Sequence, residues 1–571
     1  MFTTARKAAK ARLTKSYEEE ETLELSPQSL PESSSLAQLY DELVGDEGKQ
    51  NTNDDLPNLL ILHSCLRASS RLKRKAGDEE YITKLSLWIS KVILPNTEIG
   101  IYDDAPEDST NASRQKALQV ARHKGILGLQ SLLKLLALPE TSTPSTPISN
   151  QVLISILAFT SPRDIWSTPT SLSTTVELLA LPPIQSALQA PEFIPTDILQ
   201  WFIRPLFSAS KPSTITSAGR KAMPNSAPQK RYDFNDERVT KPWLYEKVYA
   251  ITVLEWAVGA ISSTTLKASW PLILPPLLTL LDTPGTAILT RGLSLTTTLL
   301  PKLPPKTLSQ TGLASVFSDA IIPTTLHLPS ITPLSESLEI LPLAYEALFA
   351  LYDVQFTSPS PSPNSSSSLS PTSPPKSHKN DQPQPQEKAR LAFLDTLTRK
   401  CILSAFLHAS EHAPIVSLLV AQLGALVPRM GIHATKHLKD IMPILASVLT
   451  DPFAGARLRD VSGALETFRV LVLNCWVRVG GEMWRGEGVR MLVCCWMAVG
   501  ESEGEGGVDG SGSGSVDLSL VEKVREEIKV TGRLFAKAVE GGEGDLRKEL
   551  KPLLDVDEGI GEVFGLNSLD T

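Results

Sequence analysis

One string in this 571-residue chain has the residue types and spacing of a catalytic metal centre. His408-Ala409-Ser410-Glu411-His412 fits the H-x-x-E-H pattern of inverted zinc metallopeptidases. That chemistry needs both imidazoles on one helical face around zinc, with the glutamate activating a water. Ala413-Pro414 follows at once, and proline disfavours helical geometry in the residue before it. The helix is therefore expected to end within the motif, and no accompanying signature singles out a third ligand. A zinc peptidase built on His408, Glu411 and His412 stays open as the alternative from another functional class. His433 and His437 also sit four apart, but Lys436 and Lys439 crowd them with positive charge. His437 reads as a helix-start residue packing on Leu438 and Ile441, and His63 as a core or rim histidine. The glycines between 504 and 514 lie among acids rather than between a strand and a helix, so they cradle no phosphate. No catalytic residue, metal or cofactor is expected.

A polar loop offers more. Arg204, Lys211, Arg220 and Lys221 occur there with Phe207 and Gly219, a mixture suited to gripping an acidic or phosphorylated partner while seating one aromatic ring. The competing reading is an irregular connector whose charges are merely solvated. Trp243, where order is expected to resume, is carried with this protein-binding set. Trp243, Trp256 and Trp270 also read as core.

The elements around that loop are helical. Tyr245, Tyr249, Val253, Trp256 and Ala260 recur at spacings of three and four, while Val248, Ile251, Leu254 and Val258 fill the opposite side. A helix apolar on two sides is sandwiched between neighbours. A proline, an apolar stripe, Asp282 and a turn at Thr283-Pro284-Gly285 then precede Arg291, and the pattern recurs with Pro443, Asp451, Pro452 and Arg457 or Arg459. An aspartate at such a turn can cap the next helix, and the arginine can reach back to pair with carboxylates along a stack. This unit looks like a HEAT repeat. With the serine- and proline-rich insert discounted, the copies lie roughly 140 residues apart, about three periods of ~40–47.

Composition agrees with an all-α protein, specifically a HEAT-like α-solenoid. Aromatics are only 6% and period-2 alternation is absent, while 43 prolines fit a fold with frequent turns. A net charge of −8 argues against nucleic acid as a direct partner. No apolar run reaches ~18 residues without a proline or polar break, so no membrane span is expected. Cys65, Cys401, Cys475, Cys494 and Cys495 show no C-x-x-C spacing and suit buried thiols in a reducing compartment. Arg6, Lys7, Lys10, Arg12 and Lys15 read as a mitochondrial presequence or as a solvated first helix, and Arg71, Lys73, Arg74 and Lys75 as a nuclear import signal or a charged helix end. The expected organisation is a largely disordered segment 1–55, HEAT-like repeats over 56–356, a disordered insert 357–388, further repeats over 389–500, a Gly/Ser/Glu linker 501–516 and C-terminal helices over 517–571.

Arg204-Pro205-Leu206-Phe207, Gly219-Arg220-Lys221, Lys241-Pro242-Trp243, Val253-Leu254-Glu255-Trp256, Trp270-Pro271 with Pro275-Pro276-Leu277-Leu278, and Gly431-Ile432-His433 with Lys436-His437-Leu438-Lys439 together resemble the Tel-two-interacting protein two family in its fungal form. Asn474-Cys475-Trp476 also resembles its C-terminal repeats. The resemblance implies a non-enzymatic scaffold subunit of the Triple-T co-chaperone complex. The implied partners are the two other Triple-T subunits, phosphatidylinositol-3-kinase-related kinases, and the Hsp-ninety and R2TP-type machinery, in cytoplasm and nucleus. A nuclear transport receptor is the rival from the same architecture.

Overall fold

A computed structural model describes residues 2–15, 23–45, 54–68, 71–73, 77–95, 111–138, 147–210, 239–356, 385–505, 518–542 and 544–566. The described residues are helical and contain no strand, only an isolated bridge between Ser34 and Leu72. The chain divides into two compact units, Met1–Leu313 and Ala314–Thr571. That boundary falls ahead of the insert at 357–388 and not at it.

Among the described residues the first unit opens with two α-helices, the second where the sequence suggests a short helix over Leu36–Val44. The segment 1–55 carries helices Thr3–Lys15 and Leu36–Leu43. Phe2, Ala5 and Ala9 are buried, the first helix packs on Asp55–Arg67, and Lys10 pairs with Asp54 at 2.6 Å. Small residues at positions five and nine let that helix lie close to its neighbour, a signal that charge counting overlooks. The second helix is fixed by a capping box in which Ser35 and Gln38 satisfy each other's backbone N–H groups.

Helix Asp55–Arg67 is buried on nearly every side, because Thr3–Lys15, Leu36–Leu43 and Asn111–Leu136 all pack against it. His63 lies inside with its Nδ1 lacking a partner, and burial, only partly opposed by Glu24, holds its pKa below the usual value. Further helices of this unit are Asp78–Val92, Asn111–Leu136, Asn150–Leu157 and Pro169–Leu179.

The repeated aspartate-arginine pattern resolves differently in its two copies. Asp451 pairs with Arg457 as expected, but it accepts the Phe453 N–H at 2.9 Å within the turn and caps neither of the helices that follow. Asp282 is exposed at a helix C-terminus, where the helix dipole disfavours a carboxylate, and Gly285, with φ 116°, precedes the next helix without a side-chain cap. Arg291 does reach back to carboxylates, but to those beside helix Ala250–Ala260 and not to Asp282. There Arg291 grips Glu255 with two hydrogen bonds of 2.6 and 2.8 Å, bonds Thr252 at 2.8 Å, and reaches Asp164 at 2.5 Å. Thr252 also donates to Asp164 at 2.5 Å. The Arg291 and Asp164 side chains are only 5% and 1% exposed.

Helix Ala250–Ala260 buries Ala250 to Leu254, Ala257 and Val258, as a sandwiched helix should. Its C-terminal carbonyls are covered by Lys302, whose Nζ donates to Val258 at 2.7 Å and Gly259 at 2.5 Å. Sequence periodicity extends this helix back to Tyr245, but residues 246–249 form a turn that ends the short helix Pro242–Tyr245.

In the second unit, helix Leu458–Val479 lies between Ala413–Met430 and Leu518–Gly541. Phe468 meets Phe535 at 5.8 Å, and Thr467 donates to the Val420 carbonyl at 3.1 Å. Helices Leu546–Leu554 and Gly559–Phe564 close the C-terminal end. Helix Glu482–Glu505 runs into the expected 501–516 linker, and Pro385–Thr396 begins inside the expected insert. Most of that insert lies outside the described residues. Ala413–Leu449 is long and apolar enough by composition to cross a membrane. In the fold it is two helices joined by a tight turn over Gly431–His437, and Leu419, Leu423, Ile441 and Leu445 are fully buried.

Two measurements test these packing arguments. Arg291→Leu strands the Asp164 carboxylate in the core and is expected to cost about 3–5 kcal/mol in equilibrium urea unfolding, a loss partly recovered in Arg291→Leu/Asp164→Asn. An Arg291→Leu chain as stable as the wild type would refute the anchor. For His63 the folded pKa is depressed, so the unfolded chain takes the proton first on acidification. Its contribution is present above pH 6.5 and is lost as pH falls below that value. His63→Gln should remove this part of the pH dependence, and an unchanged slope would assign it to other groups.

Candidate protein-binding surface

The site is positioned by a π-helix, Phe193–Ile203, continuous with Arg204–Phe207. Pro205 supplies a reason. In an α-helix its ring would meet the carbonyl four residues earlier, at Trp201, and it cannot donate a hydrogen bond. The wider turn relieves that conflict, and the Arg204 N–H donates to the Leu199 carbonyl five residues back. Such π segments recur at functional sites.

This geometry sends neighbouring aromatics to opposite destinies. Trp201 is 71% exposed. Phe202, half-buried beside it, stacks on Tyr249 at 5.9 Å, and the Lys247 ammonium lies 5.4 Å from the Phe202 ring centre. Together with Leu94, Ile154 and Asp197 these residues line a groove of about 530 Å³. Burial pushes the Tyr249 phenol up to about 12, so it stays neutral and serves as a packing surface. The groove thus offers an apolar floor, one exposed indole and one charge of each sign, the composition of a protein-contact surface.

The residues expected to bind a partner divide into three groups. Arg204 is exposed one turn beyond Trp201. Phe207 and Trp243 are buried, 1% and 0% exposed, with their rings stacked at 4.9 Å. Neither presents its ring to a partner, which corrects the expectation of a loop seating Phe207, while the core reading of Trp243 agrees with its position. Trp256 and Trp270 are half-buried, and Trp256 packs edge-on against Phe193 at 6.3 Å. Lys211, Gly219, Arg220 and Lys221 lie outside the described residues. The Phe207–Trp243 stack does tie the two flanks of that stretch together. Trp243 Nε1 donates to the Ser210 hydroxyl at 3.2 Å, and Thr279 holds the Ser210 carbonyl at 3.2 Å.

Trp201, Phe202, Lys247 and Tyr249 were missed as a cluster. The adjacent pair Trp201-Phe202 signalled it, since a helix seldom buries two consecutive large rings on the same side.

The H-x-x-E-H string forms no centre. Helix Ser404–Ala409 ends inside it, and His412 is extended at φ −99° and ψ 93°, so the imidazoles share no helical face. Among the described residues no group of three or more His, Cys, Asp and Glu is placed to hold a metal. His437 is fully buried and bonds Asp395 at 2.9 Å, while Lys436 contacts the same carboxylate at 2.5 Å. All five cysteines are free, and burial pushes the thiols of Cys65, Cys401 and Cys475 up to about 11 and that of Cys495 to about 12.

Helices packed on helices about a buried polar anchor, with an aromatic groove on the outside, define an all-α protein. The sequence model of the Tti2 family matches residues 152–456, more than half of the chain, and the chain belongs to that family. The match takes in the Asp164–Arg291 anchor, the π-helix and the Phe207–Trp243 stack. Family membership supports a general role as a subunit of the Triple-T complex. No match is found among curated proteins or solved structures.

The buried and exposed rings separate by mutation. Phe207→Ala is expected to cost about 3–5 kcal/mol of stability, whereas Trp201→Ala stays within about 0.5 kcal/mol of the wild type. Equal losses would mean that Trp201 is part of the core.

Proposed function

We propose that this chain is a non-enzymatic, HEAT-like solenoid scaffold of the Triple-T co-chaperone complex. In this reading it contacts the two other subunits and supports the maturation and stability of phosphatidylinositol-3-kinase-related kinases with the Hsp-ninety and R2TP-type machinery, in cytoplasm and nucleus. The observation that carries the reading is the Tti2 family match across residues 152–456. The groove within and beside that stretch supplies a physical reason for binding, since an exposed tryptophan over a packed aromatic floor is the kind of anchor that dominates protein interfaces. Arg204 beside it would bias this face towards acidic or phosphorylated partners.

Affinity purification of the tagged chain from its native cells, with mass spectrometry of what co-purifies, tests the proposal. Two larger helical-repeat subunits and a kinase of the stated class are expected, and Trp201→Ala or Lys247→Glu should deplete them without lowering the level of the chain itself. Recovery instead of a small GTPase with nucleoporins would identify a transport receptor and overturn the reading.

A further inference from the structure

A second opening lies elsewhere in the first unit and differs in character. Ile82, Ser86 and Leu87 of helix Asp78–Val92 face Leu135 and Leu136 of Asn111–Leu136, with Val152 opposite, around a cavity of about 110 Å³. The remaining lining includes two small hydroxyl residues that are already engaged. Thr83 donates to the Glu79 carbonyl at 3.0 Å, and Ser149 accepts the Gln151 N–H at 3.3 Å.

Ser86 is different. It is 4% exposed, yet its Oγ has no hydrogen-bond partner. Helical hydroxyls normally satisfy themselves on the preceding turn, as Ser90 does on Leu87 at 2.7 Å and Ser131 on Leu127 at 2.6 Å. A buried hydroxyl left unpaired costs about 1–3 kcal/mol, so a polar atom brought into this cavity would be favoured. Glu79, half-buried, is the one ionisable residue in the described lining, and no ion pair joins it to a cation among the described residues.

We propose that this cavity receives a tyrosine side chain, flanked by a basic residue, from a partner polypeptide. Size limits the guest to one ring. A closed cavity of about 150 Å³ holds benzene, and this one is smaller but partly open. Ser86 calls for a hydroxyl at the far end of that ring, and Glu79 for a cation near its point of attachment. A polypeptide source follows from energetics. A single ring fills too few contacts for tight binding of a small molecule, whereas a side chain is held by the surface contacts of the chain that carries it. The assignment rests on the reading of this protein as a protein-binding scaffold, but its test uses defined probes and no cellular partner, so either can fail alone.

The full-length chain is titrated with the tripeptides Lys-Tyr-Lys, Lys-Phe-Lys and Glu-Tyr-Glu, and with tyramine, by ligand-observed NMR. Lys-Tyr-Lys should bind best. Ser86→Ala should weaken it roughly 2–10-fold and abolish its advantage over Lys-Phe-Lys. Glu79→Gln should abolish its advantage over Glu-Tyr-Glu. Both substitutions are small, and circular dichroism checks that each variant is folded. Equal binding of the three tripeptides, or indifference to Ser86→Ala in a folded chain, overturns the proposal. Tyramine binding as tightly as Lys-Tyr-Lys would make this a small-molecule site and overturn the polypeptide assignment.

Discussion

The Met1–Leu313 unit depends on one buried cation. Apolar burial supplies most of the driving force for stacking helices, but it is non-directional, and leucine-rich faces tolerate sliding past one another. Arg291 removes that freedom. Its guanidinium satisfies acceptors on Asp164, Thr252 and Glu255, so a loop, helix Ala250–Ala260 and helix Thr286–Leu299 have one mutual register in which no charge is left unpaired. Burial pushes the Asp164 carboxyl upward, and Arg291 and Thr252 pull against it. Such a network adds little net stability over an apolar replacement, yet breaking one member is costly. Its contribution here is to specify the arrangement.

The aromatic groove inherits its geometry from that register. Helix Ala250–Ala260 is held on one side by Arg291 and at its C-terminus by Lys302, and its N-terminal side carries the turn with Lys247 and Tyr249. The π-helix packs on the same element, with Phe193 against Trp256 and Phe202 against Tyr249. A rigid floor therefore lies under an exposed indole. Phe202 and Tyr249 are already packed, so little side-chain freedom would be lost in covering them, which favours binding.

Helices were legible in the sequence because apolar spacing is a local property. The same was true of the break after His408, where Pro414 sits beside the motif, and of the sandwiched character of the helix through Val253. Pairings were not legible. Asp282 and Arg291 are nine residues apart and look coupled, whereas the true partner Asp164 is 127 residues from Arg291 and is visible only once three elements are assembled. Phe207 failed for a related reason. Its neighbours Arg204 and Lys211 suggested a wet surface, but its ring points inward to Trp243 across a stretch of chain that local composition cannot bridge. The helix Thr3–Lys15 was hard to read because charges outnumber large apolar residues there, while two alanines and one phenylalanine suffice to seat it.

The chemistry of the buried groups also bears on function. Burial shifts the Cys65, Cys401, Cys475 and Cys495 thiols, the Tyr249 and Tyr345 phenols and the His63 imidazole all towards their neutral forms. A site evolved for nucleophilic or acid-base work needs the opposite, groups poised to change charge near neutral pH and facing a cleft. Polar groups also line the two openings, Lys247 and Asp197 at the aromatic groove and Ser86 and Glu79 at the smaller cavity. In each case two polar groups accompany an apolar lining. Apolar area with a few convergent polar groups is the kind of surface that protein interfaces use.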